Sequence, residues 1–329
     1  MLRTVTLNTG YDDYFTVGEP AWGGVAPMHA FRSVCSGKGI SCARAATALG
    51  VPTVAYALVG ADDEGDYSRR LTAEGIEHRL VPVPGATRHN LTLIDAAGEK
   101  VAAHFVAQGF TLGGPDDVAP LVDTLLADVQ PGDLVTLNGS LPTGLPAATW
   151  ADLARAVIER DAEVIVDAQK DALVAALRVP GVLAFKPNDE EILAIPGVAE
   201  TDPDDRVAVA LDALADAGVR LPLVSLGAAG VAYLDASRPF DQRSQARGWL
   251  REREFNQPVI ASLPVERPVQ SVMAGDSFVA GLAWGFSMSQ DPTVWLRHAL
   301  AAAAAHVAGC TGNDLRERAQ LNLTTARLP

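Results

Sequence analysis

Cysteine is scarce in this chain. Cys35, Cys42 and Cys310 form an odd set without C-x-x-C spacing, which fits free thiols in a reducing compartment and argues against a disulfide framework or a zinc site. Basic residues are outnumbered, 26 Lys and Arg against 40 Asp and Glu. The formal net charge of −14, with no Lys/Arg-rich run, argues against a nucleic-acid surface. Small anionic ligands stay admissible, because a few clustered cations override the global sign locally. Long hydrophobic runs are absent as well. The stretch around Ala299–Val307 is Ala-rich and too short to cross a bilayer, so no membrane partner is expected. The start, MLRTVTLNTGYDD, has no basic segment followed by a long apolar one, so no signal peptide is expected, and the expected location is the cytoplasm.

What is present describes a globular protein, 48% hydrophobic and 20% charged. At roughly 150 residues per domain the length allows two units or one large α/β unit. Short β-branched runs alternate with amphipathic segments. TVTLN (Thr4–Asn8) reads as a strand, Gly39–Leu49 as a helix closed by Gly50, TVAYALVG as a strand, and Asp66–Glu74 as a helix followed by Gly75. DLVTLNG, EVIVDA, VLAFKPN and LPLVSLG read as further buried strands. This alternation predicts an α/β fold with a mostly parallel sheet and helices on both faces. Ligands then sit beyond the carboxyl ends of the strands, where Asn8, Asn138, Asp167, Asn188 and Ser225 fall. Residues 11–34 lack helical periodicity, and 88–106 read as a hairpin turning at Ala97-Gly98, so the two segments predict a small β-sheet lid. The charged, turn-rich stretch Arg238–Gln257 reads as a surface insertion.

Several short motifs carry chemistry. SVMAGDSFVAGLAWGF opens at Ser271 with small residues and an acid before an apolar helical run; Asp276 is either a helix cap or part of an anion site that removes a proton. SGKGIS (Ser36–Ser41) reads as a tight turn, or as a turn presenting backbone N–H groups and the Lys38 ammonium to an anion. It is not a phosphate-binding Walker loop, since Gly39 follows the lysine and Arg32 stands where that loop needs glycine. Arg88 and Asn90 alternate on a lid strand and share one face, which suits either plain exposure or ligand oxygens. LNGSLPTGLP places Ser140 on a rigid loop or a substrate wall. FKPNDEE gives Asn188 and Glu191 capping-box spacing, and the same groups suit Mg²⁺ held through water. SLGAAGV, with Ser225, Gly227 and Gly230, is a glycine-rich turn able to approach a polyphosphate. The six histidines, among them His104 and His306, show no metal-ligand spacing, so none is assigned to zinc.

In this order the motifs resemble the PfkB carbohydrate kinases of the ribokinase-like superfamily, nearest the branch of 1-phosphofructokinase and tagatose-6-phosphate kinase. The resemblance runs from Asp12 to Thr311. NTGYD is similar to N-P-A-x-D, SGKGIS to G-G-K-G-I-N, TRHNL to T-R-x-N, and NGSLPTGLP to G-S-L-P-P-G. KPNDEE matches K-P-N-x-x-E, SLGAAG matches S/T-L-G-x-x-G, and MAGDSFVAG matches G-A-G-D-S-F-x-A-G. The resemblance implies one ribokinase-like domain over 1–329 and transfer of the γ-phosphoryl group of ATP, with Mg²⁺, to a hydroxyl of a phosphorylated ketohexose such as fructose 1-phosphate or tagatose 6-phosphate. It implies Asp276 as general base, with the backbone N–H groups of Ala274, Gly275 and Asp276 as anion hole. The positive helix end is expected to keep Asp276 ionised. Asp12, Gly37, Lys38, Gly39, Arg88, Asn90 and Ser140 would surround the sugar or sugar phosphate. Asn188 and Glu191 would organise the metal, and Asn188, Ser225, Gly227 and Gly230 the nucleotide. A homodimer through the lid is also implied.

The departures gather on the acceptor side. Met273 replaces the first glycine of G-A-G-D, Ser36 and Ser41 replace Gly and Asn, Ala168-Gln169-Lys170 stand for T-S-G, and Thr92 stands where many members carry Lys. They keep open a second reading, a kinase of an unphosphorylated sugar, amino sugar, cyclitol or nucleoside, and a third, a ligand-binding homologue without turnover. If glycine is needed at 273 for a positive φ, Met costs about 1–2 kcal/mol there.

Overall fold

The computed structural model describes residues 1–18, 23–96, 100–234, 258–266, 268–269 and 272–325. The chain opens in β1 (Leu2–Thr6), then leaves for two long strands, β2 (Gly10–Val17) and β3 (Met28–Ser36). α1 (Lys38–Leu49) follows, and Gly50 ends it in the left-handed conformation at φ 81°. Next come β4 (Thr53–Gly60), α2 (Glu64–Ala73), β5 (Glu77–Val83), β6 (Arg88–Asp95) and β7 (Lys100–Phe105). The second half repeats strand and helix: α3 (Ala119–Asp128), β8 (Leu134–Asn138), α4 (Thr149–Ile158), β9 (Glu163–Asp167), α5 (Lys170–Ala176), β10 (Ala184–Phe185), α6 (Arg206–Asp216) and β11 (Leu221–Ser225). Two short strands, β12 (Val231–Tyr233) and β13 (Val259–Ala261), precede three helices, α7 (Ala274–Met288), α8 (Pro292–Val307) and α9 (Gly312–Thr325).

Among the described residues the main sheet has nine strands in the order β13-β12-β11-β10-β9-β8-β1-β4-β5. It is parallel from β11 to β5, with β12 and β13 antiparallel at one edge. Parallel strands covered on both faces read as continuous apolar runs, because both sides of the pleat are buried. β4 displays this: Val54, Tyr56 and Leu58 face a core shared with α3, α4, α5 and α6, while Ala55, Ala57 and Val59 face Ile40 of α1 and Tyr67 and Leu71 of α2. α7, α8 and α9 cover the same side as α1. The predicted α/β architecture is therefore the observed one.

The lid is a separate four-stranded sheet in the order β3-β2-β6-β7. β2 pairs with β6 in parallel, setting Asp12 opposite Asn90, and antiparallel hairpin partners flank them. The proposed turn at Ala97-Gly98 and the Arg238–Gln257 insertion lie outside the described residues. No helix among the described residues is long and apolar enough to cross a membrane.

Candidate active site

Parallel pairing brings the carboxyl ends of β1, β8, β9 and β10 to one edge of the sheet, and the N-terminus of α7 meets them there. Met273 caps α7 at φ 67° and ψ 5°, the left-handed region. The helix begins properly where Ser277 N donates to Met273 O at 3.0 Å. The N–H groups of Ala274, Gly275 and Asp276 precede that first bond and have no intrahelical acceptor. Gly275 is small for a reason the structure makes plain: a Cβ there would come within 3.2 Å of Lys186 Nζ.

Asp276 is 8% exposed, and its pKa is pushed up to about 7. Burial is the main cause and the neighbouring Asp167 charge the next, with Lys186 and Lys38 pulling the other way. The expectation that the helix end keeps this carboxylate firmly ionised is corrected here. Desolvation of a buried carboxylate shifts it by several units, whereas a helix terminus contributes about 0.3–1 kcal/mol.

Beneath Asp276 lies an ion cluster. Asp167 is 1% exposed and accepts from Lys38 Nζ at 3.0 Å, with Lys186 Nζ at 3.5 Å; Lys38 Nζ also lies 3.6 Å from Glu191 Oε1. Burial alone would raise the Asp167 pKa, but Lys186 and Lys38 outweigh it and hold the carboxyl below its ordinary range. Burial would likewise lower Lys38, and the Asp167 and Glu191 charges raise it instead. Neither Asp167 nor Lys186 carries a role in the sequence-based site. The available signals were Asp167 at a strand end and Lys186 inside K-P-N, and folding alone joins them.

Asn188 and Glu191 form the reciprocal cap their spacing suggests. Asn188 Oδ1 accepts from Glu190 N at 3.0 Å and Glu191 N at 2.7 Å, while Glu191 Oε2 accepts from Asn188 N at 3.0 Å. Asn188 also bridges to Ser225 across the sheet, and Ser225 Oγ donates to Pro187 O at 3.2 Å. Gly227 opens a short 3-10 turn that Gly230 closes at φ 100°. These residues thus flank the cluster on its β11 side.

The lid supplies the other wall. Asp12 Oδ1 accepts from Ser36 Oγ at 2.9 Å and from Asn90 Nδ2 at 2.8 Å. Asn8 Nδ2 donates to Ser140 Oγ at 3.0 Å. Gly37 and Gly39 let α1 start tightly against β1; a Cβ on Gly39 would fall 2.9 Å from Val5 O. Arg88 does more than face a ligand. Its guanidinium donates to Thr9 O at 3.1 Å, Ala107 O at 3.1 Å and Asn8 O at 3.0 Å, stitching the crossing between lid and sheet. An arginine has five N–H donors, so two remain for a ligand. One row further out, Thr92 Oγ1 bonds His104 Nδ1 at 2.9 Å, and Arg32 lies 3.8 Å over the Tyr14 ring.

Backbone N–H groups at a helix end, the buried Lys186 and half-buried Lys38 ammonium groups and a carboxylate titrating near neutrality together suit binding of a polyanion and removal of a hydroxyl proton. Comparison with known proteins agrees with this chemistry. Residues 15–314 match the model of the pfkB family carbohydrate kinases. The chain is 30% identical over 324 residues to the 1-phosphofructokinase of Vibrio cholerae, covering 97% of this chain and 93% of that protein. The 1-phosphofructokinase of Escherichia coli K12 is 30% identical over 327 residues, covering 99% and 97%. Phosphofructokinase-2 from Escherichia coli in complex with fructose-6-phosphate shares the fold at a TM-score of 0.82 and 24% identity, over 98% of this chain and 99% of that one.

Proposed function

This chain belongs to the pfkB family and is an ATP-dependent carbohydrate kinase; we propose that its acceptor is a phosphorylated ketohexose, fructose 1-phosphate or a 6-phosphate ketose such as tagatose 6-phosphate. The observation that carries the reading is Asp276, a buried carboxylate with a pKa near 7 at the free N-terminus of α7. A base of that strength is matched to neutral pH. The acceptor hydroxyl oxygen attacks the γ-phosphorus, the bond from phosphorus to the bridging oxygen breaks, ADP leaves, and the hydroxyl proton passes to Asp276. The N–H groups of Ala274, Gly275 and Asp276 stabilise charge on the transferring phosphoryl oxygens. Asp12 and Asn90 orient the sugar hydroxyls, with Ser140 beside them. Ser225, Gly227, Gly230 and Asn188 line the nucleotide side.

Mg²⁺ fits this donor set. Asp167 Oδ2 is buried with no hydrogen-bond partner among the described residues, and Glu191 adds a second carboxylate. Hard oxygen donors of this kind suit a magnesium ion that keeps several waters. Asn188 Oδ1 already accepts two backbone N–H groups, so its part is to hold Glu191 in place. When bound, the ion supplies charge neutralisation for the β- and γ-phosphates.

Arg88 motivates a second reading. Its bonds to the carbonyls of Asn8, Thr9 and Ala107 give it a structural duty that needs no phosphate, which favours a neutral acceptor such as an unphosphorylated sugar. ADP release with Mg-ATP across phosphoketoses, their unphosphorylated parents, amino sugars, cyclitols and nucleosides decides between them. Turnover of a phosphoketose is expected; turnover of neutral acceptors alone overturns the phosphosugar reading. ATP binding without transfer to any acceptor would leave a binding homologue.

A further inference from the structure

The turn that opens α7 is held in place from outside. Met273 is one of three non-glycine residues with positive φ among the described residues, at 67°, where an L side chain crowds the following carbonyl. A conformation of this kind persists only where its surroundings over-determine it. The last turn of α8 supplies those surroundings. His306, 6% exposed, donates from Nε2 to the carbonyl of Val272 at 2.8 Å, the residue directly before Met273. One residue on, the Val307 carbonyl accepts from Val269 N at 2.8 Å. Gly309 lies so close that a Cβ on it would come within 3.2 Å of Val269. Two hydrogen bonds and one close approach therefore pin Val269 and Val272 to the end of α8.

We propose that His306 is a positioning residue for phosphoryl transfer: from α8 it holds the Val272 carbonyl so that the Met273 turn stays left-handed and the N–H groups of Ala274, Gly275 and Asp276 stay aimed at the transferring phosphoryl group. Glycine at 273 would adopt this φ unaided, and a chain carrying Met there needs the brace. The inference rests on the anion-hole reading of α7 given above. The effect of His306 travels through one peptide unit, that of Val272 and Met273. Release of the Val272 carbonyl would let the peptide between Val272 and Met273 rotate as Met273 relaxes to negative φ, changing the direction in which the chain enters α7 and loosening the first turn that carries the donors.

The test is kinetic, on the full chain with Mg-ATP and its best acceptor. His306→Phe is expected to lower kcat about 5- to 30-fold, the range into which left-handed strain of a non-glycine residue converts. KM for ATP and for acceptor should stay within about threefold. His306→Gln, whose amide N–H can reach the same carbonyl, should keep more of the rate, and it carries the test if the Phe variant does not fold. The double variant His306→Phe/Met273→Gly should recover the kcat of Met273→Gly alone, since glycine removes the need for the brace. A merely structural histidine would not be rescued in this way. A kcat for His306→Phe and His306→Gln within twofold of the unaltered enzyme overturns the proposal, as does a loss residing in KM for ATP, or a folded double variant as slow as His306→Phe. Asp276→Asn separates the two readings. Full turnover in Asp276→Asn overturns Asp276 as the base and with it the placement of phosphoryl transfer at the start of α7, on which the brace rests, whereas an inactive Asp276→Asn beside a fully active His306→Phe overturns the brace alone.

Discussion

Asp276 shows how burial, more than sequence position, sets the chemistry of a single side chain. Raised to about 7, it must lose its proton before it can accept one from a sugar hydroxyl. The expected kcat/KM therefore falls about tenfold per pH unit below 7 and levels off above it, measured with an acceptor whose own ionisation is constant across the range. Asp276→Asn should lose roughly 10²–10⁴ in kcat while binding ATP normally, checked by turnover and calorimetry. Stability moves in a direction that linkage fixes. Between about pH 4, where an unfolded aspartate titrates, and pH 7, the folded state holds a proton that the unfolded state has released. Stability contributed by the protonated form is thus present at low pH and lost as pH rises through the folded pKa. Asp276→Asn should accordingly raise Tm at pH 8 and change it little at pH 4, read by thermal melts across that range. Met273 and Lys170 add strain of another kind, at φ 67° and 54°, the left-handed region that favours glycine. Met273→Gly should gain about 1–2 kcal/mol, less the entropy glycine adds to the unfolded chain.

Elements decide where those residues meet. β6 carries Arg88, Asn90 and Thr92 on one face, as alternation requires, and β2 sets Asp12 opposite Asn90. Arg88 sits at the strand's root, where its three carbonyl partners belong to the chain entering and leaving the lid. Replacing Arg88 by Ala removes both its carbonyl bonds and its free donors. If the donors read a phosphate, KM rises at least tenfold for a phosphosugar and little for its neutral parent; if the stitching dominates, KM rises for both. Steady-state kinetics on the matched pair reads the difference. α7 and α8 pack at close range, a Cβ on Gly281 falling 2.6 Å from the Ala299 Cα. Gly281→Val should separate the helices and lower Tm, and with it loosen the turn that α8 supports.

At the scale of the molecule, the outer face of the lid is apolar and partly exposed among the described residues. Phe15 and Phe31 pack with ring centroids 4.9 Å apart, and Phe31 and Phe105 are 53% and 43% exposed. By strand alternation Leu91, Leu93 and Ala103 share that face. Exposed apolar patches of this sort mark association surfaces. We propose pairing of two lids in a homodimer; light scattering should find a dimer, and Phe31→Asp should yield monomers. Dimer persistence in that variant would move the interface elsewhere.

Sequence by itself determined the alternation of strand and helix, a second small sheet, the apolar helical run that follows the small residues at Ala274–Ser277 and the reciprocal Asn188–Glu191 cap, because each depends on spacing within a few residues. It also determined the family, because ordered motifs survive where overall identity is low. Tertiary structure alone decided the rest. Only folding places Lys38, Asp167 and Lys186 around one carboxylate, and the resulting desolvation reverses the expectation for Asp276. Only folding turns Arg88 toward three carbonyls and brings His306 beneath the Met273 turn. Local propensity acts over a few residues, whereas dielectric and hydrogen-bond competition depend on every element packed around the site.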